Sequence, residues 1–162
     1  MEEEKQVEDD YRDFIELLNK NNVEYLIVGA YSVIYHTNVP RETGDMDFWI
    51  KNTEENAEKV TRAIKEFNGL EIDKKDLLTE KRILFIGQTP NRIDIFNEQA
   101  DLPFDEAYKQ KKTGVFKGMP TYFISKEDLF ELKKHFNRDK DIKDIKRLEA
   151  TNKKKKSKGF ER

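Results

Sequence analysis

The chain has 162 residues, 36% of them apolar and 40% charged, with a formal net charge of −2. That length suits about one domain with a core of its own, the near-balance of charge gives no global basic footprint for nucleic acid, and the lack of cysteine excludes disulfides and thiolate metal sites. The start, MEEEKQVEDD, is acidic where a signal peptide would be basic and then apolar, and no apolar run approaches membrane-spanning length, so a cytoplasmic protein with no membrane partner is expected.

From Val7 to Lys20, the residues Val7, Tyr11, Phe14, Ile15 and Leu18 share one helical face, and Asn19-Lys20-Asn21-Asn22 ends the pattern. Tyr25 to Val28 reads as a short buried strand that turns through Gly29-Ala30 into a helix stopping near Pro40. A glycine between an apolar strand and the first turn of a helix leaves backbone N–H groups unshielded, which suits phosphate oxygens; it also suits an ordinary turn that needs glycine for its dihedral angles. Ser32 either adds a hydroxyl to such a cradle or bonds a carbonyl one turn back. His36 has no partner within its motif, although its helix would bring it near the turn.

The next strand, DMDFWI, carries Asp45 and Asp47 at positions that share a face, with Cα atoms ~6.5 Å apart. Two carboxylates so close repel, and the flanking Met46, Phe48, Trp49 and Ile50 are large and apolar, so the strand offers nothing to neutralise them. A hard divalent ion that prefers oxygen ligands, Mg²⁺ most often, is the simplest neutraliser. The alternatives are a pair facing solvent at a strand end or a salt bridge to Arg41.

After Asn52-Thr53, which look like a helix start, Ala57, Val60, Ile64 and Phe67 recur at helical spacing until Asn68-Gly69. RILFIG and RIDIF then read as a hairpin about a QTPN turn. Asp94 lies between Ile93 and Ile95, where an unpaired charge is costly to bury, so it is either a third metal ligand or general base, or it pairs with Arg92, Arg82 or Arg62. DLPFDEAYKQKK, from Asp101, reads as a loop and a short helix. Gly114 to Ser125 is predicted to be a hairpin with Gly118 and Pro120 marking its turn, and burial on the sheet is the favoured role of its aromatic positions over base stacking. In the helix over 126–136, Leu129, Leu132, Lys133 and Phe136 form a stripe, so Lys133 either snorkels to the edge or reaches an anion, while His135 is a surface histidine. Asp141 shares a face with Ile145 and Leu148 at the start of the last helix, where it favours the positive helix end. The end of the chain, TNKKKKSKGFER, has no core pattern and is expected to be a disordered, solvated tail over 151–162, after a folded unit over 1–150.

Strand, glycine turn, helix, D-x-D on the next strand and a further aspartate on a later one resembles the DNA polymerase β-like nucleotidyltransferase superfamily. It is similar in particular to small bacterial proteins related to the AbiEii toxin and to aminoglycoside nucleotidyltransferases. The matching stretches are VGAYSV (28–33), PRETGDMDFWI (40–50), NRIDIF (91–96) and ISKEDLFELKKHFNRDKDIKDI (124–145). The resemblance implies an α+β fold with the mixed sheet of a minimal nucleotidyltransferase, flanking helices and C-terminal helices. It also implies catalysis and metal binding by Asp45, Asp47 and Asp94, and nucleotide contacts from Gly29, Ala30, Ser32, Arg41 and Lys133. Arg138, Lys140, Asp141 and Asp144 would form a brace behind the site. The family's first motif usually has Gly or Ser after its leading Gly; here Ala30 keeps the backbone N–H but brings no hydroxyl.

The expected activity is therefore Mg²⁺- or Mn²⁺-dependent transfer of a nucleoside monophosphate from an NTP, with Asp94 deprotonating the acceptor hydroxyl. Relatives modify tRNA ends, proteins or antibiotics, and several pair with a toxin or antitoxin partner, so all of these acceptors and partners are open to this chain. Ala30 opens a second reading, a binding or regulatory module that does not turn over. A glycosyltransferase with a metal-binding D-x-D ranks lower, because Asp45 follows Gly29 by only 16 residues, before a full nucleotide-binding half could intervene.

Overall fold

A computed structural model describes the backbone of residues 2–160 and the side chains of residues 7–151. The elements run α1 (Glu2–Lys20), β1 (Tyr25–Val28), α2 (Gly29–Thr37), β2 (Asp45–Ile50), α3 (Glu54–Asn68), α4 (Lys75–Leu78), β3 (Ile83–Ile86), β4 (Arg92–Phe96), α5 (Phe104–Lys109), β5 (Lys112–Phe116), β6 (Met119–Phe123), α6 (Lys126–Phe136) and α7 (Asp139–Phe160). The six strands form one mixed sheet in the order β3-β4-β2-β1-β6-β5. Its centre joins the antiparallel pair β1–β2 to β4 and β6, each added in parallel. This is the α+β fold with C-terminal helices that the sequence predicts.

Period-two alternation in β2 divides the molecule. Met46, Phe48 and Ile50 point into a core shared with Tyr25, Ile27, Ile93 and Ile95, closed by Tyr11, Phe14, Ile15 and Leu18 of α1 and by Ala57, Val60, Ala63 and Ile64 of α3. Trp49 points the other way, into a second cluster with Leu26, Val28, Leu129, Leu132 and Leu148. Asp45 and Asp47 share the parity of Trp49, so they lie on the side covered by α6 and α7.

Local chemistry sets the element ends. The Thr53 hydroxyl accepts from the Asn56 N–H at the start of α3, and Gly69, at φ +80°, ends it. Ser125 caps α6 in the same way through the Asp128 N–H. The β5–β6 hairpin turns on Lys117 and Gly118, both at positive φ, as a two-residue turn requires. Pro120, expected at that turn, lies instead inside β6 opposite Val115. This is tolerated because β1 meets β6 in register only at Ile27↔Phe123, leaving no strand beside Pro120 on that side, and the Pro120 carbonyl accepts from the Asn19 side chain at 2.7 Å. The aromatic hairpin positions pack as expected: Phe123 stacks on Tyr35 at 4.0 Å, Phe116 meets Tyr31 edge-on, and Tyr122 lies between Tyr25 and Tyr108. His36, which has no partner within its own motif, lies 2.6 Å from the distant Ile124 carbonyl through Nε2.

Helix α7 continues to Phe160; of the disordered, lysine-rich tail expected over 151–162, the side chains beyond Thr151 lie outside the described residues. Among the described residues no helix is long and apolar enough to cross a membrane.

Phe48 is fully buried, between Phe14 and Tyr25 and on the sheet face away from the aspartates. Phe48→Ala should lower stability by about 3–5 kcal/mol. Urea unfolding measures that loss, and circular dichroism at low urea should still show the native secondary structure.

Candidate active site

The parallel pairing of β2 with β4 places Asp47 opposite Asp94 and Asp45 opposite Arg92. Each of the aspartates Asp45, Asp47 and Asp94 thereby offers an oxygen within 4.8 Å of the others. Three carboxylates at that spacing repel strongly, and the surroundings answer them unequally. The Arg92 guanidinium donates from Nε to Asp94 Oδ1 (2.7 Å) and from Nη2 to Asp94 Oδ2 and Asp45 Oδ2 (both 3.0 Å). Its planar group lies 4.6 Å from the centre of the Phe85 ring. The Thr43 hydroxyl is 2.9 Å from the Asp45 carbonyl and 3.3 Å from Asp45 Oδ1.

Asp47 receives no such help. Its Oδ1 is buried without a hydrogen-bond partner. Burial, followed by the charges of Asp45 and Asp94, pushes its carboxyl up to about 8. Burial also raises Asp94, against the opposing pull of Arg92. An orphaned carboxylate oxygen between two further carboxylates is a donor set suited to a hard divalent cation.

Asp47 also rests against the turn into α2. Gly29 stands at φ +67°, a region that favours glycine, and a Cβ there would overlap the Asp47 carboxylate. No side chain caps α2 and its first turn holds no acid, so backbone N–H groups of that turn point out beside the carboxylates. Ala30 is buried within this turn. Ser32 is fully buried too, and its hydroxyl donates to the Gly29 carbonyl at 2.6 Å, the second of its two expected roles; it tightens the turn and does not line the cavity.

Behind the carboxylates, α6 and α7 bury Asp141 and Asp144 completely. Lys133, also buried, reaches Asp144 (3.0 Å) and Asp141 (3.4 Å). Arg138 binds Asp141 through Nε (2.6 Å) and its backbone N–H (3.0 Å). Arg41 and Arg147 both reach Asp144 Oδ1, at 3.0 and 2.8 Å. Burial alone would raise Asp141, but the Arg138 hydrogen bonds overcome it and hold that carboxyl below the usual range. Arg41, which the sequence left between the D-x-D pair and a nucleotide, thus bridges to α7. A cavity of about 530 Å³ opens over the site, walled by Gly29, Ala30 and the three aspartates and by Arg41, Lys133, Arg138 and Lys140.

Residues 7–160 match the profile of the family described as nucleotidyl transferase of unknown function (DUF2204). The chain belongs to that nucleotidyltransferase family. Solved structures share the fold of this nucleotidyltransferase. The antibiotic-resistance factor ANT(2'')-Ia, in solution, superposes with a TM-score of 0.59 at 14% identity, over 96% of this chain and 94% of its own. Its crystal structure with adenylyl-2''-tobramycin gives 0.58 at 13% identity, over 89% and 87%. An antigenic nucleotidyltransferase-like protein from Paracoccidioides brasiliensis gives 0.58 at 16% identity, over 89% of this chain and 75% of its own. No curated protein matches the sequence.

The sequence alone gives no site role to Arg92, Phe85, Thr43 or Arg147. It offers Arg92 as an ion-pair partner of Asp94, but the hold of Arg92 on Asp45 depends on the β2–β4 register. Two of these residues had a readable signal: Arg92 is two positions before Asp94 on one strand, and Arg147 three after Asp144 on one helix.

The raised Asp47 carboxyl predicts a pH dependence. The folded, metal-free nucleotidyltransferase holds a proton there that the unfolded chain releases near pH 4, so this contribution to stability is complete below about pH 4 and lost as the pH rises toward about 8. Asp47→Asn should flatten this part of the pH–stability curve and raise the melting temperature at pH 8, measured in the presence of EDTA.

Proposed function

We infer that the protein transfers a nucleoside monophosphate from a nucleoside triphosphate to a hydroxyl acceptor, using Mg²⁺ or Mn²⁺ held by Asp45, Asp47 and Asp94. The observation that carries this reading is the convergence of those carboxylates, one with an orphaned buried oxygen, beside the uncapped N-terminus of α2. The cation would supply Lewis-acid polarisation of the reacting phosphoryl group and neutralise charge on the departing pyrophosphate. The backbone N–H groups of Gly29 and Ala30 would hold phosphate oxygens at the positive end of the helix. Lys133, Arg138 and Lys140, on the cavity wall, would balance the remaining phosphate charge, with Arg41 fixed at its edge. Asp94 would take the proton of the acceptor hydroxyl as that oxygen bonds to phosphorus and the bond to pyrophosphate breaks. Asp141 and Asp144 keep Lys133, Arg41 and Arg138 in place.

The acceptor would enter from a larger groove of about 1220 Å³ that shares Arg41, Glu42, Thr43 and Gly44 with the first cavity. Tyr31, Tyr35, Phe116 and Val115 line it, with the carboxylates of Glu8 and Glu42, and among the described residues Arg41 is its one lining cation. A polynucleotide would need cations along its phosphates. The lining therefore favours a small molecule or a protein side chain over an RNA end.

The test incubates purified protein with each labelled nucleoside triphosphate, Mg²⁺ or Mn²⁺, and total RNA, protein lysate and small-molecule extract in separate reactions. Label should pass to an acceptor in one of them, and the combined Asp45→Ala and Asp47→Ala variant should lose about a thousandfold or more. The second reading, a module that binds without turnover, is favoured by a cradle that lacks a free hydroxyl, since Ala30 has none and that of Ser32 is bonded. Calorimetric binding of a nucleotide without any transfer would establish that reading instead.

A further inference from the structure

Phe85 is the feature of the site that packing does not explain. It lies on the edge strand β3 opposite Asp94, is 54% exposed, and lends its ring face to Arg92. An aromatic ring left this open gains little from burial, but a guanidinium stacked on it is held flat and within reach of its hydrogen-bond partners. Arg92 in turn satisfies both oxygens of Asp94 and one of Asp45. It therefore occupies oxygens that the preceding section gives to a divalent cation.

We propose that Arg92, seated on Phe85, is a built-in counter-cation of the carboxylate cluster, holding Asp45 and Asp94 together before loading and competing with the incoming divalent ion for them. This rests on the reading of the cluster as a divalent-cation site. Two features fit an exchange. The Arg92 side chain is 33% exposed, so it has open space to turn into, and its three hydrogen bonds all go to the cluster. Like charges repel, so a guanidinium at this distance lowers the affinity of any cation placed among the same oxygens. Asp47, which Arg92 does not touch, remains the open ligand that a divalent ion meets first. Arg92 thus sets how much metal, or how much metal-bound nucleotide, the site requires before it changes state.

The experiment is calorimetric titration of Mn²⁺ into the metal-stripped full chain, with melting temperatures taken in EDTA, for wild type, Arg92→Gln, Arg92→Lys and Phe85→Ala. Arg92→Gln should bind Mn²⁺ about tenfold more tightly or better, and should melt at a lower temperature than wild type when metal-free. Arg92→Lys, which keeps the charge but not the planar fork, should stay close to wild-type affinity. Phe85→Ala should raise affinity by a smaller factor, and it decides the matter if Arg92→Gln does not fold without metal. Unchanged or weaker Mn²⁺ binding by folded Arg92→Gln, or by Phe85→Ala in its place, would overturn the competition while leaving the metal site intact. Absence of Mn²⁺ binding in every variant would overturn the metal site itself and this proposal with it.

Discussion

The contact between the Asp47 carboxylate and the bare Cα of Gly29 fixes the geometry of the whole site. Gly29 starts a helix at positive φ directly after β1, and Asp47 sits opposite Val28 on the neighbouring strand. Only a residue without Cβ allows the carboxylate to lie that close to the turn. The same contact brings the uncapped N–H groups of α2 next to the carboxylate cluster. Unpaired N–H donors and a carboxylate cluster thus share one wall, which suits the proposed ligand, a phosphate chain with its counter-ion.

Charge behind the site is arranged with the opposite sign. Asp141 and Asp144 are buried completely, which would be prohibitive for isolated charges, yet each holds more than one cation: Arg138 and Lys133 on the first, and Arg41, Lys133 and Arg147 on the second. Both acids are already matched by cations, although Asp144 Oδ2, like Asp47 Oδ1, accepts no hydrogen bond. Their effect is to immobilise basic groups that would otherwise be flexible, so Lys133 reaches the cavity edge at little further entropic cost. The front of the site carries surplus negative charge and the back surplus positive charge.

Much of this was legible in the sequence because it is local. The strand Tyr25–Val28, the turn at Gly29, the shared face of Asp45 and Asp47 and the anomaly of Asp94 between two isoleucines follow from period and burial cost alone. The apolar stripe containing Lys133 leaves a lysine either snorkelling to the edge or reaching an anion, and its burial against Asp141 and Asp144 selects the second. What the sequence could not show is set by long-range pairing. That β2 lies parallel to β4, in the register that aligns Asp47 with Asp94, decides that Arg92 meets Asp45. That α7 returns against α2 decides that Arg41 goes to Asp144 and not to the D-x-D pair. Ser32 had two possible partners, and its complete burial on the inner side of α2 selected the backbone carbonyl over the cavity.

The segment Arg41–Gly44 joins these parts. It closes one end of the cavity over the carboxylates and one side of the aromatic groove, so it is shared by whatever fills either. Arg41 ties it to α7 through Asp144, and the Thr43 hydroxyl, 3.3 Å from Asp45 Oδ1, ties it to the cluster. A change in the charge on Asp45 is therefore felt by Thr43, and a shift of α7 is felt by Arg41, within three residues of backbone. Both ends of the segment are thus held by charged groups, one on each side of the boundary between the two pockets.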